Sequence, residues 1–298
     1  MATPVPLATL STAPEAMPSE IQDFLDRNNW GTHHLEWHTT RQWDRLGRDG
    51  QRWAQQQGWS RAPRQEGQLN NGLEFLVMHH VMFETLKKLF PARAEYFQDW
   101  KPVPRAPNDA LWPVLDRARW SEIPEPMTHA LDVLVNRVNT PQQAGLLYFT
   151  SQDQLGLYIQ TTVRGPGAGA PQRTAGLHNY LHGRFSRDGS DIDMGDPAVN
   201  MKNTYFWKLH GFVEEAWLTY RELQGLPAVD ADNDPLLQQY LRESAAHLPF
   251  SETPTAEHMH ATPAAPAAAA ALVDLRKLAK RNFNQDVAAA TAKKGDGL

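Results

Sequence analysis

Leu177-His178-Asn179-Tyr180-Leu181-His182 is the stretch on which the reading of this chain turns. Residues four apart on an α-helix share a face one turn apart, so His178 and His182 can aim two imidazoles at one point. The next histidine, His210, lies in a second helical segment, Phe206-Trp207-Lys208-Leu209-His210-Gly211-Phe212-Val213-Glu214-Glu215-Ala216-Trp217, and an antiparallel return would bring it to the same point. Upstream, Thr32-His33-His34-Leu35-Glu36-Trp37-His38 offers a second pair with that spacing, His34 and His38. The apolar run Phe75-Leu76-Val77-Met78 ends in His79 and His80. Histidines gathered in close pairs inside helical segments are the pattern that composition has to explain.

The 298 residues include 12 His and no Cys. Disulfides, thiolate metal sites, iron-sulfur clusters and cysteine nucleophiles are therefore excluded together, and any metal must rest on His, carboxylate or amide groups. The balance of 29 basic against 34 acidic residues gives a formal charge of -5, which argues against a phosphate-binding surface and against nucleic acid. With 41% hydrophobic residues, 10 Trp, 11 Phe and 7 Tyr, the chain can bury a sizeable core. No apolar run approaches the ~18 residues of a spanning helix. Met1 to Glu20 lacks the charged-then-apolar order of a secretory signal, so the expectation is a cytoplasmic protein away from membranes. Neither a phosphate-binding GxxxxGK[ST] loop nor a GxSxG nucleophile motif occurs.

The pattern divides the chain into a loose Pro/Ala/Ser/Thr arm (1-19), a helical domain (20-250) and a Pro/Ala-rich extension with one helix (251-298). Helical spacing is expected from Glu20, from Leu35 to Gln57, from Gly72 to Phe90, around Met127 to Val138, from Thr174 to Arg184, from Met201 to Gln224 and from Pro235 to Ala246. Leu146 to Phe149 and Leu155 to Val163 read as short strands around a turn. Arg164 to Pro171 reads as a Gly/Pro loop. The fold class is thus mainly α, a helical bundle whose faces carry histidines.

The block from Leu177 to Trp217 resembles the second copper site of the tyrosinase and catechol oxidase family of type 3 copper proteins. The HNxxH helix, Asp196-Pro197 in the loop, and Phe206, His210, Glu214 and Trp217 fill the family's places. The resemblance implies that His178, His182 and His210 hold one copper of a coupled pair that binds dioxygen. Here Ala198 to Tyr205 separate Asp-Pro from the Phe segment, and Leu209 stands where the family has the first His of a pair. Phe75-Leu76-Val77-Met78-His79-His80 is similar to the family's Phe-Leu-Pro-Trp-His-Arg segment, which makes His79 the third ligand of a first copper site. The second ligand of that site falls on Asn70, whose amide oxygen is a poor partner for copper. Two completions stay open: His38 and His79 with a replacement ligand, or His34, His38 and His79 as a set of three.

The resemblance implies two copper ions, dioxygen and a small phenolic or catecholic substrate, with a copper-loading protein as a candidate partner. It implies an oxidoreductase that hydroxylates phenols or oxidises catechols to quinones. Asn179 takes the place of an asparagine that helps hold a phenol-deprotonating water, although no Glu stands nine residues before His178 to share that role. Phe206 takes the place of a ring that caps the site or stacks on substrate. Metal-bound imidazoles need a partner on the other ring nitrogen, and Glu36, Glu74, Asp196 and Glu214 are the carboxylates near in sequence. His258-Met259-His260 in the extension has copper-capturing chemistry. The rival expectations are a mononuclear copper-binding or oxygen-handling protein with a degenerate first site, and a non-catalytic structural relative.

Overall fold

A computed structural model describes residues 15–106, 109, 123, 125–140, 143–161, 176–187 and 189–248. Among these the protein is mainly helical and has no strand. The helices are α1 (Ser19–Arg27), α2 (Trp30–Arg41), α3 (Gly47–Gln56), α4 (Asn71–Leu89), α5 (Glu125–Val135), α6 (Gln152–Thr161), α7 (Leu177–Arg184), α8 (Thr204–Leu223) and α9 (Pro235–His247), with short 3-10 turns between them. None of the described helices is long and apolar enough to cross a membrane.

The expected strands are corrected. Leu146–Tyr148 is a single 3-10 turn, and Gln152–Thr161 is α6. Ser151 Oγ accepts from the Gln154 N–H at 3.1 Å, an N-terminal cap, and Leu155, Tyr158 and Ile159 then bury one helical face. A run rich in apolar residues does not distinguish strand from buried helix, and here the cap and the three-to-four spacing decide.

Helix α4 forms the axis and packs against α6, α8 and α9. It approaches α6 closely enough that a Cβ on Gly72 or Gly156 would strike the other helix's backbone. Asp153 at the start of α6 accepts the N–H groups of Asn70 (2.9 Å) and Leu73 (3.0 Å), satisfying the orphan donors at the α4 N-terminus. Asn70 sits there with φ 69°, in the left-handed region that asparagine tolerates better than most residues. An asparagine meets that backbone demand at this position.

The large core gathers Trp30, Trp207, Trp217, Phe75, Phe185 and Phe206 between the helices. A smaller cluster of Trp43, Trp53 and Trp59 covers the outer side of α2 around Leu35. Residues 15–18, expected to be loose, are anchored: the Met17 N–H donates to Lys202 O at 2.8 Å, the Thr204 N–H to Glu15 O at 2.7 Å, and Met17 is buried. The expected Gly/Pro loop, the C-terminal helix and the His258-Met259-His260 motif lie outside the described residues.

Candidate metal centre

Four helices bring six histidines to one place. His34 and His38 come from α2, His79 from α4, His178 and His182 from α7, and His210 from α8. None is more than 4% exposed. Helix α7 is only eight residues long and every one of them is buried, so its two histidines sit in the interior by position alone.

Burial disfavours the imidazolium, and the neighbouring rings add to that effect. His34 is pushed down to about 3 and His182 to about 4, in both cases chiefly by desolvation. Desolvation first, then the adjacent histidines, holds His38, His79, His178 and His210 well below the ordinary value. All six rings are therefore neutral at pH 7.

Five of the rings are aimed by a partner on Nδ1. The Nδ1 of His79 donates to Phe75 O at 2.8 Å and that of His210 to Phe206 O at 2.8 Å, each carbonyl belonging to the histidine's own helix four residues earlier. The loop between α7 and α8 supplies two more carbonyls. His182 Nδ1 donates to Met194 O at 2.8 Å, and His34 Nδ1 to Pro197 O at 2.9 Å. Asn179 Oδ1 lies 2.9 Å from His178 Nδ1. A carbonyl only accepts, so the hydrogen of each of these neutral rings is on Nδ1 and the Nε2 lone pair is bare.

Those Nε2 atoms converge. His178 Nε2 is 3.0 Å from His210 Nε2 and 3.1 Å from His182 Nε2, and His34 Nε2 is 3.1 Å from His38 Nε2. His79 Nε2 is buried with no hydrogen-bond partner. Bare lone pairs facing one another leave an unmet demand for positive charge, which a metal ion would satisfy.

Two sets of three have their ligand atoms within 4.8 Å of one another. The first is His34, His38 and His79, one of the two completions open from sequence. The second is His79, His178 and His210, where the sequence expectation has His182 in place of His79. His182 joins this set through its contact with His178. His79 thus stands between the halves, its ring stacked on His210 at 4.3 Å between centroids, while His38 faces His178 at 6.0 Å.

The halves repeat each other. Each pairs an HxxxH helix, α2 or α7, with an FxxxH helix, α4 or α8, and in both FxxxH helices the Phe carbonyl takes the histidine's Nδ1–H. Phe206 is fully buried, 3.9 Å from the His210 ring and 5.4 and 5.7 Å from those of His34 and His182. Phe75 packs likewise on His79 at 4.5 Å and His178 at 4.8 Å.

The carboxylates nearest in sequence do not orient these rings, and the expectation for them is corrected. Glu74 is held by Arg41 (2.6 Å) and Arg64 (2.9 Å); burial works to raise its pKa, and the two guanidiniums outweigh it. Glu214 accepts from His80 Nδ1 at 2.6 Å, and Glu36 lies toward His33. Asp196 acts through the backbone: its carboxylate accepts the Ala198 N–H at 3.0 Å, fixing the turn that presents the Pro197 carbonyl to His34. This loop lies directly on α2, where a Cβ on Gly31 would strike Ala198 O. Leu209, at the family's first-His position, is buried in the core.

Glu66 is the residue that sequence reasoning missed. The Nδ2 of Asn179 donates to Glu66 Oε1 at 3.4 Å while its Oδ1 engages His178. Glu66 is buried and also accepts from Gln42 at 2.6 Å and Arg45 at 3.3 Å. It comes from the aperiodic loop between α3 and α4, far from Asn179 in sequence, and no spacing marks it.

Comparison with protein-family models, with curated proteins and with solved structures gave no match for this chain.

Proposed function

We propose that the six-histidine centre holds a pair of copper ions and that the chain is a tyrosinase-like oxidase of the type 3 copper class, converting phenols or catechols to quinones. The observation that carries this reading is the convergence of six buried, neutral imidazoles, five of which have the Nε2 lone pair bare. Imidazole suits copper in both common oxidation states, and copper heads the affinity order of the divalent first-row ions. His34 and His38 would hold one ion, His178, His182 and His210 the other, with His79 completing the first set. The block from Leu177 to Trp217 and its resemblance to the family's second site supply the rest of the support.

Copper, when bound, would supply the one-electron chemistry by which two catechols give four electrons and four protons to one dioxygen, leaving two quinones and two waters. The chain's own residues have other tasks. Burial keeps the rings neutral, the backbone carbonyls keep them aimed, and Phe75 and Phe206 pack against them. Asn179 links His178 to Glu66, a carboxylate placed to accept the proton of an incoming phenol.

The test is the copper content of reconstituted protein and of His178→Ala, together with colour development on a catechol. Two coppers per chain with quinone formation sustain the reading. One copper that disappears in the variant reduces the centre to a mononuclear site, and no copper at all overturns it.

One observation favours a second reading. Phe206 lies fully buried across both halves, so an aromatic substrate reaches the centre only if that ring moves. A copper- or oxygen-handling protein without an organic substrate needs no such movement. Phe206→Ala separates the two: catechol turnover rises if the ring gates an oxidase, and neither protein forms quinone if the centre only binds.

A further inference from the structure

Helix α2 carries chemistry on two faces. His34 and His38 point inward, while His33 and Glu36 lie on the outer face, where the end of α9 brings His247 against them. One ligand atom from each of His33, Glu36 and His247 lies within 4.8 Å of the other two, and all three residues are partly exposed.

We infer that His33, Glu36 and His247 form a separate site for a divalent transition-metal ion, which joins α9 to the outer face of α2. Two imidazoles and one carboxylate are a borderline-soft donor set that leaves positions for water, the composition of an open zinc, copper(II) or iron(II) site. His33 Nδ1 is buried and has no hydrogen-bond partner. It stands 4.0 Å from Glu36 Oε2, too far for a hydrogen bond yet spanned by an ion with bonds of about 2.0–2.2 Å to each. His247 Nε2 donates to the His33 carbonyl at 2.9 Å, so its Nδ1 keeps a lone pair, and the two rings meet edge to face at 5.5 Å. Arg41, whose charge acts on both Glu36 and His247, is bound to Glu74 at 2.6 Å rather than to either of them. The three residues are partly exposed, so the site is open to exchange with solvent where the six-histidine centre is closed.

Zinc titration of the full-length protein tests this, with bound zinc counted per chain and affinities read by calorimetry. Any zinc that enters the buried centre is common to parent and variants, so the readout is the difference between them. His247→Ala is expected to bind one zinc fewer than the parent. Glu36→Gln, which keeps both imidazoles and the shape of the side chain, is expected to bind that one zinc at least about ten-fold more weakly. Circular dichroism checks that each variant is folded; should His247→Ala fail to fold, Glu36→Gln decides alone. Unchanged zinc affinity in Glu36→Gln overturns the inference, as does an unchanged zinc count in a folded His247→Ala.

Discussion

Lowering the pH should destabilise the metal-free protein steeply in a range where most proteins change little. His34 and His182 are held at about 3 and about 4, against an ordinary value of 6.5. Between those limits the unfolded chain binds protons that the folded chain refuses. Stability is therefore fully present above pH 6.5 and drains away as the pH falls toward 4 for His182 and toward 3 for His34. One pH unit corresponds to about 1.4 kcal/mol per group, so at pH 5 each of the two costs about 2 kcal/mol and the pair about 4 kcal/mol. His38, His79, His178 and His210 shift in the same direction and add to that figure. A domain of this kind commands only about 5–15 kcal/mol. Glu74 contributes in a different window, because its lowered pKa matters only below its ordinary 4.5. The assay is urea unfolding of chelator-treated protein followed by tryptophan fluorescence at intervals from about pH 7.5 to pH 5. The midpoint should fall continuously, and the fold should be lost near the lower end. A midpoint that holds steady across that range would refute the claim that six neutral imidazoles are buried together.

Three further outcomes follow from the geometry. His79→Ala should lower the bound copper count more than His34→Ala does, because His79 belongs to both sets of three; metal analysis of the two variants side by side checks this. Gly31→Ala should cost about 1–3 kcal/mol in urea unfolding, since the added methyl must displace the Ala198 carbonyl, and should weaken metal binding because Pro197 O moves off His34 with it. Asn179→Ala should reduce metal affinity about 10–100-fold in a competition titration, by releasing His178 from the group that fixes its ring.

The helices were legible because their apolar spacing and the histidine pairs obey the same period. The spacing of His34 with His38, and of His178 with His182, already places each pair on one face of its helix. The segment from Leu155 to Thr161 was misread because Leu, Tyr, Ile and Thr serve a buried helix as readily as a strand, and the deciding cap is a single serine. What orients the rings was invisible for a different reason: four of the five described Nδ1 partners are backbone carbonyls, which every residue possesses and no letter encodes. Glu66, and the meeting of His33 and Glu36 with His247, depend on chain segments far apart in sequence and arise only from packing.

The two kinds of carbonyl have an implication for how the centre assembles. Phe75 O and Phe206 O sit in the same helices as the histidines they hold, so those two rings acquire their direction as soon as a few turns of α4 and α8 have formed. His34 waits for Pro197 and His182 for Met194, and hence for the α7–α8 connection to close over α2. The one connection between α7 and α8 thus completes one ligand in each half at the same moment. An ion arriving at a partly folded chain would meet a half-set of donors on either side, and the step that finishes one half finishes the other. The two halves mature together, and damage to that loop is felt on both sides of the centre at once.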